Sequence, residues 1–348
     1  MKNKQILKNR KIAGILKNRI IKGDYPFDSK IPSETVLSEE FKVSRPTIKS
    51  AIGFLVRDGY ISCLPSIGSF VIKKSGAKRI IGYVSPDLSD PFHVDMISNL
   101  EKITSSKGIG LIIASSGESR EEEISAIERV IKNGAAGVLV SKSISSSDIE
   151  TKYKIPLVWT GGVSNDSLYD KVTINNQKGI QQIIDHLMSL GARTFAYAEA
   201  EKGRIENSQR YLTFKAYLEK QGIKIGDNLI FKTDERGQKG GFELFKSMIK
   251  TGLPDAIVCY NDWTAFGIIE GAIQHKIKVP EQLKVSGFDN ILLSSYFKVP
   301  LTTINYKAKL IAQTAVEILL GRIEGSKGKI KAVIVEPELI IRESTRKG

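Results

Sequence analysis

The chain has 348 residues, with 52 Lys and Arg against 38 Asp and Glu and a hydrophobic share of 41%, enough for two or three domains with cores of their own. Those values exclude wholesale disorder, a collagen-like repeat and a coiled-coil rod. Two cysteines, Cys63 and Cys259, nearly two hundred positions apart in apolar surroundings, argue against a disulfide scaffold or a cysteine metal site and are expected to be reduced core residues. No apolar run suits a signal peptide and none reaches the roughly 18 residues of a membrane helix, so a cytoplasmic protein is expected.

Positive charge is unevenly placed. Residues 1–79 hold 17 basic and 6 acidic side chains, a net +11, whereas 80–348 hold 35 and 32, a net +3. A small basic segment joined to a nearly neutral body is the pattern of one domain that meets a polyanion and another with a different task.

In chain order, Ile12, Ile15, Leu16, Arg19 and Ile20 keep helical spacing up to Gly23, suited to a left-handed helix end. Ser33 is placed to cap a short second helix carrying Leu37 and Phe41, which ends near Lys42. Ser44 precedes a third, with Arg45 and Pro46 in its first turn and Ile48, Ala51, Ile52 and Leu55 turned inward. Arg45, Thr47, Lys49 and Ser50 are then expected on the outer face, where a major groove could receive them. Tyr60–Leu64 and Ser69–Ile72, joined by Pro65-Ser66-Ile67-Gly68, are expected as two strands and a tight turn.

The strings IPSETVLSEEFKVSRPTIKSAIGFLVRDGYI and IGSFV resemble the winged helix-turn-helix of GntR-type bacterial regulators, over residues 4–73. The resemblance implies DNA contact by Arg45, Thr47, Lys49 and Gly68, and Lys30, Ser33, Ser44 and Ser66 complete the expected set. The chain departs from that family in Pro46 after the arginine and in Pro65-Ser66-Ile67, where glutamine and glycine are commoner.

From Ile80, apolar runs at 80–84, 109–114, 136–140, 157–160, 194–198, 256–260 and 285–288 alternate with amphipathic stretches. This is the pattern of a doubly wound parallel α/β body, whose ligands bind beyond the carboxyl ends of its strands. Residues in and just after those strands are polar, with an occasional aromatic: Asp90, Phe92 and His93, then Ser115, Lys142, Trp159, Asn175, Glu199, Arg210, Asn261, Asp262 and Asp289. Carboxylates, amides and an arginine that fork onto vicinal hydroxyls, with a flat ring beside them, suit a sugar and would also suit a nucleoside. Asp90 and Asp262 could equally be helix caps.

The strings YVSPDLSDPF, HLMSLGARTFAYA, NSQRYLTFKAYL, DAIVCYNDWTAFGIIEGA, VPEQLKVSGFDN, PLTTIN and PELIIREST resemble, in order, the effector domain of LacI/GalR regulators, itself similar to periplasmic sugar-binding proteins. A GntR head on such a body resembles the arabinose-repressor subgroup. The resemblance implies a homodimer on operator DNA and no enzymatic activity or cofactor. A sugar such as a pentose would be held between two lobes and would release the operator. By the same resemblance, Phe92, Arg210, Asp262 and Asp289 are the foremost expected ligand contacts. Asn175-Asn176 stands where Asp-Asn is common, and Thr213 where glycine is usual. The expected organisation is a head at 1–73, a linker at 74–79 and a body at 80–348. Its first lobe is placed at about 80–173 and 303–328, its second at 174–302 and 329–348, with crossovers near Thr173, Thr302 and Gly328. The alternatives are a purine- or nucleoside-responsive regulator and a sugar-active enzyme with a DNA-binding head. Against an enzyme, there is no G-x-S-x-G, G-x-x-x-x-G-K-[ST] or G-x-G-x-x-G motif, His93, His186 and His275 are scattered, and Glu121, Glu122 and Glu123 open a helix where they favour its dipole.

Overall fold

The computed structural model describes residues 2–57, 59–64, 67–71, 80–117, 119–141, 153, 155–161, 169–200 and 208–346. The chain divides into two compact units, one of residues 1–79 and the other of nearly all the rest.

The first unit is three helices and a two-stranded ribbon. Helix α1 (Lys2–Lys22) starts earlier than the apolar spacing suggests, and Gly23, at φ 88°, ends it. Helices α2 (Glu34–Glu40) and α3 (Arg45–Arg57) follow, then β1 (Ile61–Leu64) and β2 (Gly68–Val71), paired antiparallel with Leu64 opposite Gly68. Their core joins Ile12 and Leu16 to Leu37, Ile48, Ile52, Leu55, Ile61 and Val71. Burial of these apolar side chains, each worth about 1.5–3 kcal/mol, holds the short helices in place. Cys63 does not share this core; although it lies on the same face of β1 as buried Ile61, two residues further along the ribbon it has run past the core and is exposed, whereas Cys259 is buried.

The second unit holds two parallel sheets. Strands β3 (Ile80–Ser85), β4 (Gly110–Ser115), β5 (Ala135–Val140), β6 (Leu157–Trp159), β7 (Asp170–Ile174) and, much later, β13 (Ala332–Val335) form one in the order β13-β7-β6-β5-β3-β4. Helices α4 (Pro91–Ser106) and α5 (Arg120–Lys132) cover it, α5 opening on a Ser119–Glu122 capping box. The other sheet contains β8 (Phe195–Ala200), β9 (Ile230–Thr233), β10 (Ala256–Cys259) and β11 (Lys284–Ser286) in the order β11-β10-β8-β9. Its helices are α6 (Asn176–Ser189), α7 (Gln209–Lys220), α8 (Gly237–Thr251) and α9 (Asp262–Gln274). Right-handed crossovers put helices on both faces of such sheets and leave their carboxyl edges open for function.

The chain passes between the sheets three times. It leaves the first after β7. It returns through β12 (Thr303–Asn305) and α10 (Ala308–Ile323), and leaves again between β13 and β14 (Glu338–Ile340), which pairs antiparallel with β12. The third crossing therefore falls near Glu336 rather than Gly328, and residues 329–335 lie with the first sheet, not the second. The cause is Arg322, which donates to both Asp170 oxygens (2.6 and 2.9 Å) and to the carbonyls of Ser326, Gly328 and Lys329. That clamp fastens the polar turn to β7, so β13 can add beside it, Val333 opposite Val172.

Candidate functional site

Exposure of α3 decides what the head can present. Arg45, Lys49, Gly53 and Val56 are exposed and lie three or four positions apart, on one face. Thr47, expected among them, is only 3% exposed and its hydroxyl meets that of Ser44 at 3.0 Å. At about 100° per residue it lies some 200° around the helix from Arg45, which places it against the core. Ser50 accepts from the Asn9 amide at 2.9 Å. Ser33 caps α2, its hydroxyl accepting from Val36 N at 3.3 Å. Lys30 is exposed and bridges to Phe70 of the ribbon, next to Gly68. Ser66 lies outside the described residues. What remains is a surface of Arg45, Lys49, Ser33, Ser44 and Lys30, cationic and rich in donors, as phosphate and base-edge contacts require.

In the body, side chains converge where the sheets' carboxyl edges face each other. Arg210, in the first turn of α7, is the hub. Its Nε donates to Asn176 Oδ1 at 3.0 Å, Nη1 to the Tyr260 carbonyl at 2.5 Å and Nη2 to Asp289 Oδ1 at 3.3 Å. The guanidinium carbon stands 3.7 Å from the Phe288 ring centre and 4.8 Å from that of Tyr260. Aromatic faces and a carboxylate together hold an arginine charged in a place where burial alone would discourage it. Burial pushes the Asp289 carboxyl well above its ordinary range, with Arg210 acting in the opposite sense. Asp289 has φ 124°, a strained turn that re-aims the chain after β11.

Opposite stand residues of the first sheet's side. Asp90 caps α4, accepting from Phe92 N at 2.9 Å, and burial, with Asp87 nearby, pushes its carboxyl up to about 6 against the pull of Arg236 and Arg210. Phe92 meets the Tyr306 ring edge-on at 4.6 Å and packs against the second sheet's core. Burial raises the Tyr306 phenol to about 12, so it stays a donor at neutral pH. His93 is buried, its Nδ1 3.4 Å from Tyr83 OH and 3.3 Å from Ser141 Oγ. An ion pair among the described residues joins the two sides: Arg236 Nη1 lies 3.4 Å from Asp87 Oδ2, while Asp87 Oδ1 accepts from Ser89 N and Oγ.

Several expected ligand contacts are engaged elsewhere. Asp262 is fully buried: one oxygen accepts from Ile291 N (3.0 Å) and Ser294 Oγ (2.6 Å), the other from Thr303 Oγ1. It braces the segment after β11 instead of facing the cleft, and the cap of α9 is Asn261, through Thr264 N and Oγ1. Asn175 caps α6 through Lys178 N, and it is the next residue, Asn176, that reaches Arg210. Trp159 stacks on Tyr169 within the first sheet's core, Glu199 is completely buried, and Ser115 donates to the Pro86 carbonyl. Lys142 lies outside the described residues. Sequence reasoning missed Asn176, Tyr260, Phe288, Tyr306, Asp87 and Arg236. Among the described residues no cluster of His, Cys, Asp and Glu could hold a metal ion, and no helix is long and apolar enough to cross a membrane.

A basic helical head joined to a two-sheet body with a polar, aromatic cleft is the architecture of a DNA-binding transcriptional regulator. Residues 8–71 match the family model of bacterial regulatory proteins of the gntR family, and residues 184–345 that of the periplasmic binding protein-like domain. The chain is 27% identical over 364 residues to the arabinose metabolism transcriptional repressor of Geobacillus stearothermophilus, spanning 99% of this chain and all of the relative. It is 25% identical over 278 residues to the HTH-type transcriptional repressor PurR of Vibrio parahaemolyticus, across 79% of this chain and 83% of that one. A solved LacI-type transcription regulator from Bifidobacterium animalis subsp. lactis superposes with a TM-score of 0.71 at 25% identity, over 77% of this chain and all of that one. The protein is thus a transcriptional repressor that joins a GntR-family head to a LacI-type, periplasmic-binding-protein-like body, a regulator and not an enzyme.

Proposed function

We propose that the protein represses sugar-utilisation genes and leaves its operator when a neutral sugar, a pentose or similar, occupies the cleft. The observation that carries this reading is the Arg210 cluster. A guanidinium fixed by Asn176, Asp289 and the Tyr260 carbonyl faces Asp90, with the Phe92 and Tyr306 rings beside it. Forked polar groups grip vicinal hydroxyls, and a ring covers the apolar face of a pyranose. A purine or nucleoside is the second reading, favoured by the same rings and by the PurR relative.

Release follows from linkage. Sugar bound between the two sides favours one angle between them and operator another, so each weakens the other. A 100-fold loss of operator affinity needs about 2.7 kcal/mol of coupling. The Asp87–Arg236 pair lies across that movement and holds the sides together with a modest, salt-sensitive contribution. We place the protein in the cytoplasm, with the operator, as a homodimer. Leu292 is 80% and Tyr296 77% exposed beside Leu293, an apolar patch suited to a second copy. A thermal-shift screen against pentoses, hexoses, sugar phosphates and purines tests the ligand class. One sugar should raise the melting temperature, since 100 times its dissociation constant adds about 2.7 kcal/mol. A response to purines alone would replace the first reading by the second.

A further inference from the structure

The carboxylate that pairs with Arg210 stands on a turn that the backbone does not favour. After β11 the chain runs through Asp289 at φ 124° and Asn290 at φ 55°, two successive residues in the region that suits glycine. Such a turn persists only where its surroundings fix it. Asp289 N donates to the Ile304 carbonyl at 2.9 Å, Asn290 N to Thr303 Oγ1 at 3.3 Å and Ile291 N to Asp262 Oδ2 at 3.0 Å. The side chain of Asn290 is held by Arg342, two residues beyond β14. Nη2 of Arg342 donates to Asn290 Oδ1 and Nη1 to the Leu301 carbonyl, both at 2.7 Å, while its main-chain N donates to Thr302 Oγ1 at 2.8 Å. The guanidinium therefore forks between the turn and the segment to which the turn is bonded. The segment after β14 does not need that fork to stay in place. Ser344 Oγ donates to the Val285 carbonyl at 2.6 Å and accepts from Thr302 N at 2.8 Å, and Thr345 Oγ1 meets Thr302 Oγ1 at 2.7 Å and His186 Nε2 at 2.9 Å. The Asp289–Arg210 contact, at 3.3 Å, is longer than the roughly 2.7–2.9 Å of a tight guanidinium–carboxylate bond. The place of the carboxylate is thus set by its turn more than by its partner.

We propose that Arg342 is a positioning residue for ligand binding: through Asn290 it fixes the turn that aims the Asp289 carboxylate into the cleft. The proposal rests on the cleft reading above, in which that carboxylate meets the ligand. Lysine in place of Arg342 keeps the charge but has no planar fork with which to span Asn290 and Leu301. Glycine in place of Asn290 adopts φ 55° without strain but gives Arg342 no side chain to grip. The two variants therefore break the same link from opposite ends.

Two readouts on the full-length protein test this, one without ligand and one with it. In hydrogen exchange without ligand, Arg342→Lys should speed the amides of 289–291 by about 10-fold and leave those of β10 at the wild-type rate. In calorimetric titrations with arabinose, xylose and ribose in turn, a pentose that binds wild type should bind Arg342→Lys and Asn290→Gly each about 10-fold more weakly. The double variant should be no weaker than either single one, because both act through one contact. Unchanged exchange at 289–291 overturns the proposal whatever binds. So do single-variant affinities within about twofold of wild type, or losses that multiply in the double variant. If exchange rises at 289–291 as stated but none of the three pentoses binds wild type, the pentose reading of the cleft falls and the hold of Arg342 on the turn stands.

Discussion

Asp90 offers a test whose size follows from its surroundings. Its carboxyl is pushed up to about 6 from an ordinary 3.8, chiefly by burial. The folded protein therefore holds this proton more tightly than the unfolded chain. The stabilisation from binding it is complete below pH 3.8 and is lost as pH rises through 6. A shift of about two units at 1.36 kcal/mol each makes the loss on the order of 3 kcal/mol. Asp90→Asn keeps an oxygen for the cap bond to Phe92 N and removes the charge. Denaturant unfolding of both proteins from pH 4 to pH 8 should show the variant gaining on wild type between pH 4 and 6, then a constant difference above pH 7. Parallel curves over the whole range would refute the argument that this carboxylate is strained by burial.

Arg45→Ala should abolish specific operator binding in a mobility-shift assay and leave ligand affinity within about twofold, since the two sites lie in separate units; loss of both in a folded variant would contradict the division. Thr47→Ala should instead lower the head's stability by about 1 kcal/mol, because its buried hydroxyl meets Ser44. Asp262→Ala, which strands three donors in the second sheet's core, should lower the body's unfolding free energy by about 3 kcal/mol or more in a denaturant melt. Leu292→Asp with Tyr296→Asp should convert a dimer to monomers in sedimentation equilibrium, at unchanged ligand affinity.

How much of this was legible in the chain depends on the length of each signal. The long helices and the strands at 80–85 and 135–140 carry enough periods to be read, and so does the GntR-like order of the head. Strands of three residues, such as Thr303–Asn305 and Glu338–Ile340, are too short to show a period, and the third crossover expected near Gly328 lies too early in the chain. On α3 the expected outer face includes Thr47, which the helical angle from Arg45 turns to the core instead. In the body, Arg210 and Asp289 were legible as an arginine and a carboxylate just beyond strands, and the structure pairs them. Asn175-Asn176 and Asn261-Asp262 each put two polar groups at a helix start, and sequence does not say which one caps. The cap fell to the first residue in both pairs, which frees Asn176 for Arg210 but sends Asp262 into the core. Asp87 and Arg236 stand 149 positions apart, and nothing local in either stretch links them.

The central claim is that sugar and operator compete through the body's two sides. The most direct measurement is the affinity of the full-length protein for a selected operator duplex, by fluorescence anisotropy at fixed salt, with and without saturating concentrations of the sugar that raises its melting temperature. Operator affinity should fall 10-fold or more, and the sugar's own affinity should fall by the same factor when operator is bound. An operator affinity unchanged by a sugar that demonstrably binds would contradict the account.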